Sequence, residues 1–338
     1  MELSVQEMVK KPVHRIPKCY LVDREPAVEE KSVPAIPVLD MKTLLAQETR
    51  NSQLDNLDAT CKDWGIFQLV NHGVESWLVE KLKYEIQEFY KLPLEERLRY
   101  KIRPGDVEGY GQTVILTPGQ KVDWADRFYM FTNPIYNRKP HLFPELPSSL
   151  RETLEAYIHE LQKLARSLFG LIAEALKIER TEIEEMFEDG MQSIRMNYYP
   201  PCPEPNKVNG LTPHSDATGI TILLQVNGVD GFQVKKDGVW LPVSPLPNAF
   251  VVNIGDVTEI LSNGLYKSIE HRATVNSEKE RITIAMFFNP KLKAEIGPSR
   301  SLLLKQPPLY KSMIAERYAK DFFSRKLNGK SFLEYMKL

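Results

Sequence analysis

The stretch His214-Ser215-Asp216-Ala217-Thr218-Gly219-Ile220-Thr221-Ile222-Leu223-Leu224-Gln225-Val226 decides how the second half of this chain is read. From Ile220 onward it is β-branched and aliphatic, and it stops at Asn227-Gly228, a tight-turn signal. Runs of the same texture occupy 194–198, 232–234, 239–243, 250–254, 269–275 and 282–287, with Asp237-Gly238 as a second turn signal. Many short strands with turns between them predict a sandwich or barrel whose strands point alternate side chains inward. Upstream, Leu154, Ile158, Leu161, Leu164, Ala165 and Leu168 recur at helical spacing within 151–176 and are most simply core. Residues 41–64 and 74–90 read as helices around a short strand at 66–70, and the tail over 312–336 returns to helix. Pro12, Pro17, Pro26, Pro34 and Pro37 make the first forty residues an arm with few regular elements. The expected class is α+β with a mostly β core. A helical and loop region over 1–150 and a long helix, β core and C-terminal helix over 151–338 would form one compact unit.

A chain of 338 residues can bury a substantial core, and 42% hydrophobic with 26% charged residues is ordinary for a globular protein. A formal net charge of −1 provides no global attraction to nucleic acid or acidic membranes, so neither is an expected partner. Cys19, Cys61 and Cys202 are odd in number and form no C-x-x-C pair, which predicts no disulfide framework and a reducing compartment. Glu2, Glu7, Lys10 and Lys11 interrupt any apolar run at the start, and no stretch reaches the roughly 18–20 apolar residues that span a bilayer. The expectation is a cytoplasmic, monomeric protein acting on a small molecule.

On an extended strand, side chains at i and i+2 point to one face, so His214 and Asp216 can address one metal together. His271 lies 271 − 214 = 57 positions later, in another β run. Two imidazoles and one carboxylate cover one face of a metal and leave the other open, as a non-haem Fe(II) oxygenase requires. The plainer reading makes His214 a turn residue beside Pro213 and His271 a satisfied core histidine. Arg281 and Thr283 would share a strand face, and an arginine pointing into an apolar interior needs an anionic partner. A guanidinium holds a carboxylate through two parallel hydrogen bonds, and the Thr283 hydroxyl can add a third. Against this stands a surface salt bridge, with Glu278, Lys279 and Glu280 forming a charged turn nearby. His72 precedes a helix far from this set and is read as a structural turn residue, and Cys202, with no base beside it, is given no nucleophilic role.

With these residues in hand the chain, nearly full length, resembles the plant 2-oxoglutarate- and Fe(II)-dependent dioxygenases. The branch is that of flavonol and anthocyanidin synthases, senescence-related oxygenases and codeine O-demethylase. Asp63-Trp64-Gly65-Ile66-Phe67-Gln68-Leu69-Val70-Asn71-His72-Gly73 and Asn197-Tyr198-Tyr199-Pro200-Pro201-Cys202 look like family motifs, and His214, Asp216, His271 and Arg281 follow in matching order. The resemblance implies a double-stranded β-helix (jelly-roll) with Fe(II) bound by His214, Asp216 and His271. It implies 2-oxoglutarate at Arg281 with Tyr199 and Asn197 assisting, O2 as second co-substrate, and ascorbate in support. Where the family has Arg-x-Ser, this chain has Arg281-Ile282-Thr283, which keeps the hydroxyl and adds a methyl.

For the organic substrate, Tyr110, Val114, Ile115 and Leu116 with Phe128, Phe287 and Phe288 are candidate pocket residues, although aromatic and aliphatic residues are usually core. An apolar, aromatic-lined pocket would suit an alkaloid or flavonoid, altered by hydroxylation, O-demethylation or desaturation. Three other readings stay open: an oxidase of the same fold that does not use 2-oxoglutarate, a zinc hydrolase on the same ligands, and a non-catalytic binding protein.

Overall fold

The computed structural model describes residues 4–28, 35–112, 115 and 118–338. Its core strands are β1 (Val38–Asp40), β2 (Ile66–Val70), β3 (Gly109–Gly111), β4 (Asp126–Asn133), β5 (Gln192–Tyr199) and β6 (Leu211–His214), then β7 (Ile220–Gln225), β8 (Phe232–Lys236), β9 (Val239–Val243), β10 (Phe250–Ile254), β11 (His271–Ala273) and β12 (Arg281–Phe288). They form an eight-stranded sheet in the order β1-β2-β10-β7-β12-β5-β4-β3 and a four-stranded sheet in the order β6-β11-β8-β9. Ile66 and Val251 of the major sheet pack with Phe232, Val234 and Leu241 of the minor sheet, so the two sheets face one another as in a jelly-roll.

The other face of the major sheet carries helices. Ile282, Ile284, Met286 and Phe288 of β12 join one hydrophobic core with Leu154, Leu161 and Leu168. Those leucines belong to the helix Ser148–Leu176, whose buried stripe follows the spacing seen in the sequence. The same core takes in Leu54 and Leu57 from the helix Arg50–Asp63 and Leu82 and Ile86 from the helix Ser76–Lys91.

The expected single helix over 41–64 is two helices, Met41–Leu45 and Arg50–Asp63. Asp40 caps the first by accepting from the Lys42 and Thr43 amides, and Ala46 turns extended at its end. The tail likewise splits into Ala315–Phe323 and Ser331–Met336. Between them Gly329 forms an isolated bridge with His214, donating to the Pro213 carbonyl at 3.0 Å and accepting from the Ser215 amide at 3.3 Å. The run at 269–275 keeps only three residues as strand. Strands β1, β3 and β4 were not anticipated, and with β2 they make four strands that the part before residue 150 contributes to the major sheet.

Gly65 sits where β2 approaches the segment before β11. Its φ is +65°, and a Cβ there would lie 1.8 Å from the Lys267 carbonyl oxygen. Gly65→Ala is therefore expected to destabilise the fold by about 2–4 kcal/mol, combining left-handed strain with backbone overpacking. Denaturant unfolding measures this, and an unchanged midpoint would contradict the close approach.

Candidate active site

Strand β11 lies beside β6 with His271 directly opposite His214, and the two imidazole rings are 4.4 Å apart. Asp216 follows just beyond the end of β6. Candidate ligand atoms of His214, Asp216 and His271, all buried, lie within 4.8 Å of one another. Each histidine has its Nδ1 on a backbone carbonyl, that of Thr212 at 2.8 Å for His214 and that of Ile269 at 3.1 Å for His271. This fixes the tautomer with Nδ1–H donating and leaves both Nε2 lone pairs facing Asp216.

The carboxylate is divided in the same way. Its Oδ2 accepts from Thr221 Oγ1 at 2.7 Å and from Asn253 Nδ2 at 2.8 Å. Its Oδ1 stands 3.5 Å from His214 Nε2 and 3.7 Å from His271 Nε2. Burial opposes the charge on Asp216, but the two rings and the Asn253 amide hold its carboxyl well below the usual carboxylate range. Burial also pushes the His271 imidazole down to about 4, against the attraction of Asp216, so the neutral, metal-binding form prevails. Two imidazole nitrogens and one carboxylate oxygen converge here. A single ion with bonds of roughly 2.0–2.2 Å would need only a modest contraction of the set, which fits a divalent metal.

From behind, Ser215 Oγ donates to Asp256 Oδ2 at 3.1 Å, and the Asp256 amide donates to the Asp216 carbonyl at 2.7 Å. The Gly329 bridge covers the outer edge of β6.

Across the cavity, β12 presents Arg281, Thr283, Ala285 and Phe287. Arg281 pairs in register with Tyr199 and Thr283 with Asn197, so all four side chains share one face. Arg281 is 1% exposed, its Nε has no hydrogen-bond partner, and one of its terminal nitrogens donates to Gln225 Oε1 at 3.5 Å. Its guanidinium lies over the Tyr199 ring at 5.3 Å. Burial pushes the guanidinium down, with Tyr199 opposing. Asn197 Nδ2 donates to Thr283 Oγ1 at 3.2 Å, and Asn197 Oδ1 is buried without a partner. A cavity separates this face from the histidines, with Leu211, Leu223, Phe232 and Ala273 completing its walls.

With that geometry described, comparison with known proteins is direct. Residues 190–290 match the 2OG-Fe(II) oxygenase superfamily, and residues 36–146 match the family described as non-haem dioxygenase in morphine synthesis N-terminal. Protein SRG1 of Arabidopsis thaliana is 49% identical over 99% of this chain and 96% of its own. The chain belongs to the plant 2-oxoglutarate- and Fe(II)-dependent dioxygenases. It is thus an oxidoreductase that uses Fe(II) and 2-oxoglutarate. Oxoglutarate-dependent flavonoid 7-O-demethylase 1 of Ocimum basilicum is 48% identical (99% of this chain, 91% of that protein). Codeine O-demethylase of Papaver somniferum is 46% identical (99% and 96%). The crystal structure of JOX2 in complex with 2OG, Fe and JA superimposes with a TM-score of 0.90 at 35% identity, covering 100% of this chain and 98% of that one. No helix among the described residues is long and apolar enough to cross a membrane.

The expected substrate-pocket residues divide by strand parity. Phe287 lines the cavity of the dioxygenase, on the same face as Arg281 and Thr283. Phe288 points the other way into the helical core, and so do Phe128 and its cross-strand partner Tyr110. Phe128 stacks on Phe89 at 5.3 Å, and the Tyr110 hydroxyl accepts from Arg97. These three are thus corrected from pocket to core. Val114 and Leu116 lie outside the described residues, and Ile115 is exposed. Thr221, Asn253 and Arg195, which also line the cavity, escaped the sequence reading. Each is a polar residue inside an apolar strand, a signal that a buried partner or ligand must exist.

Two expectations follow. Thr221→Val frees one lone pair of Asp216 and should weaken divalent-metal binding by about 10–100-fold, as seen by metal titration. Phe128→Ala should cost about 3–5 kcal/mol of stability without changing ligand affinity in the cavity, whereas Phe287→Ala should change affinity. The reverse pattern in unfolding and binding assays would contradict the assignment of faces.

Proposed function

We propose that His214, Asp216 and His271 bind Fe(II) and that Arg281, aided by Thr283, Tyr199 and Asn197, holds 2-oxoglutarate. We further propose that the enzyme hydroxylates, O-demethylates or desaturates a small, largely apolar plant specialised metabolite, an alkaloid or flavonoid, with release of succinate and CO2. The observation that carries this reading is a buried Arg281 with no carboxylate in ion-pair range among the described residues, facing a His-Asp-His cluster across one cavity. A buried guanidinium without an anion is costly, and the distal carboxylate of 2-oxoglutarate satisfies it in fork geometry.

Bound Fe(II) with 2-oxoglutarate supplies oxidation of an unactivated C–H bond by O2, coupled to decarboxylation of the co-substrate. The residues of this chain set the conditions for it. The carbonyls of Thr212 and Ile269 orient both rings, and Thr221 with Asn253 directs one carboxylate oxygen inward. Arg281 and Thr283 would hold the far carboxylate of the co-substrate on the cavity wall that faces the histidines. Leu211, Leu223, Phe232 and Phe287 provide apolar walls that exclude water around the substrate. Hydroxylation of an O-methyl carbon gives a hemiacetal, which collapses to formaldehyde and a free hydroxyl. Two of the relatives are named as O-demethylases, which supports that outcome.

The test is anaerobic reconstitution with Fe(II) and 2-oxoglutarate, followed by O2 and a panel of methoxylated alkaloids and flavonoids. Succinate should appear with a product that has gained one oxygen, lost a methylene or lost two hydrogens. Product without succinate would sink the co-substrate assignment. Arg281→Lys should raise KM for 2-oxoglutarate by about 10–100-fold through loss of a charge-assisted hydrogen bond, and His214→Ala should abolish turnover.

A further inference from the structure

The connection that carries Asp216 is held from two sides, and one of the holding groups has no place in the chemistry proposed above. On the outer side Gly329 bridges to His214, its amide donating to the Pro213 carbonyl at 3.0 Å and its carbonyl accepting from the Ser215 amide at 3.3 Å. The φ of Gly329 is +52°, and a Cβ there would lie 3.2 Å from Oε1 of Glu270, the residue before His271. Gly329 is thus wedged against both histidine-bearing segments. On the inner side stands the helix Asp256–Leu261. Its Asp256 amide donates to the Asp216 carbonyl at 2.7 Å, and its Val257 amide donates to the Thr218 carbonyl at 3.0 Å.

Lys330 joins the two sides. Its ammonium donates to Glu259 Oε2 at 2.8 Å, on the same helix as Asp256. Contacts then run in a closed ring, from Gly329 to Ser215, through the Ser215 hydroxyl to Asp256, along the helix to Glu259 and back through Lys330. Glu259 is 4% exposed and also accepts from the Ser268 amide at 2.6 Å and the Tyr310 hydroxyl at 3.0 Å. Those two donors remain when Lys330 is replaced. The terminal helix keeps its own anchors as well, since Phe332, Leu333 and Met336 are buried in the main core. The chain before Gly329 gives little hold, because 323–326 and Asn328 are exposed. The fold has other supports here, and what the ion pair adds is a fixed place for Gly329 on β6.

We propose that Lys330 is a positioning residue for the metal centre, holding the Gly329 clamp on β6 through Glu259 so that His214 and Asp216 keep the spacing one ion needs. This rests on the reading above that His214, Asp216 and His271 bind Fe(II). His214 Nε2 and Asp216 Oδ1 are 3.5 Å apart, and only Ser215 separates the two residues in the chain. So short a connection passes a shift at its outer edge directly to both ligand atoms. With the clamp loosened, metal binding must first order the pair, and affinity falls.

The experiment is a Co(II) titration of the full chain, followed by the visible d–d absorption of the bound ion and set beside thermal melting. Co(II) should bind the wild type at one site. Lys330→Met should weaken binding by about tenfold, the low end of the range for groups that orient ligands from outside, and should alter the band. Lys330→Arg should recover most of the affinity. Lys337→Met, which removes an exposed cation paired with Glu334 nearby, should match the wild type. The double variant Lys330→Met/Glu259→Gln leaves no unpaired anion inside and should show the same weakening even where the single variant folds poorly. Wild-type affinity and band in the folded Lys330→Met or double variant overturns the proposal, whatever the Tm does. So does an equal loss in Lys337→Met, or a Lys330→Arg no better than Lys330→Met. If the wild type itself binds no Co(II), the ligand assignment fails and the proposal with it.

Discussion

Alternate residues of β12 face two different surroundings, a polar cavity on one side and an apolar helical layer on the other. A slip of one residue would expose Ile282, Ile284, Met286 and Phe288 to the cavity and drive Arg281 and Thr283 into the hydrocarbon core, so the register tolerates no error. Strands β5 and β7 flank β12 and obey the same alternation, with Arg195, Asn197 and Tyr199 on one side of β5 and Ile194, Met196 and Tyr198 on the other. The hydrophobic effect thus specifies the position of every polar group in the cavity, since the apolar half of each strand has only one favourable place to go.

The ligand cluster depends on this register through Asp216. Its two hydrogen-bond donors, Thr221 and Asn253, project from β7 and β10 of the major sheet, while His214 and His271 sit on the minor sheet. Convergence of the three side chains therefore requires the correct stacking of both sheets. No local piece of chain could assemble it. The backbone carbonyls that hold the imidazoles come from residues two positions before each histidine, so ring orientation is set locally once the strands are in place.

Much of this was legible beforehand. The shared parity of Arg281 and Thr283 is a property of any extended strand and appears in β12, whereas β6 ends at His214 and Asp216 lies in the connection before β7, so those two converge through that connection and not through one continuous strand. The leucines of Ser148–Leu176 likewise follow helical spacing. Parity could also have separated Phe287 from Phe288, because 287 differs from 281 by an even number and 288 by an odd one. Other features were beyond local patterning. The break after Leu45 depends on an Asp40 cap and a Thr49 hydroxyl that turns back to the Thr43 carbonyl. The strand Asp126–Asn133 contains Asp126 and Arg127, which local propensity disfavours, yet the β5 ladder and the Ser4 and Gln6 contacts to Asp126 hold it in place.

The two segments that match separate family descriptions, 36–146 and 190–290, do not form separate sheets. Strand β2 of the first lies between β1 and β10, and β4 lies against β5 of the second. A hybrid made by joining the front of one relative to the back of another near residue 150 would have to match two strand seams at once, across pairs such as Phe67–Val252 and Phe128–Met196. Recombination within the family is therefore constrained less by the splice point than by those seams. The N-terminal segment is inherited as part of the barrel wall and not as an attachment to it.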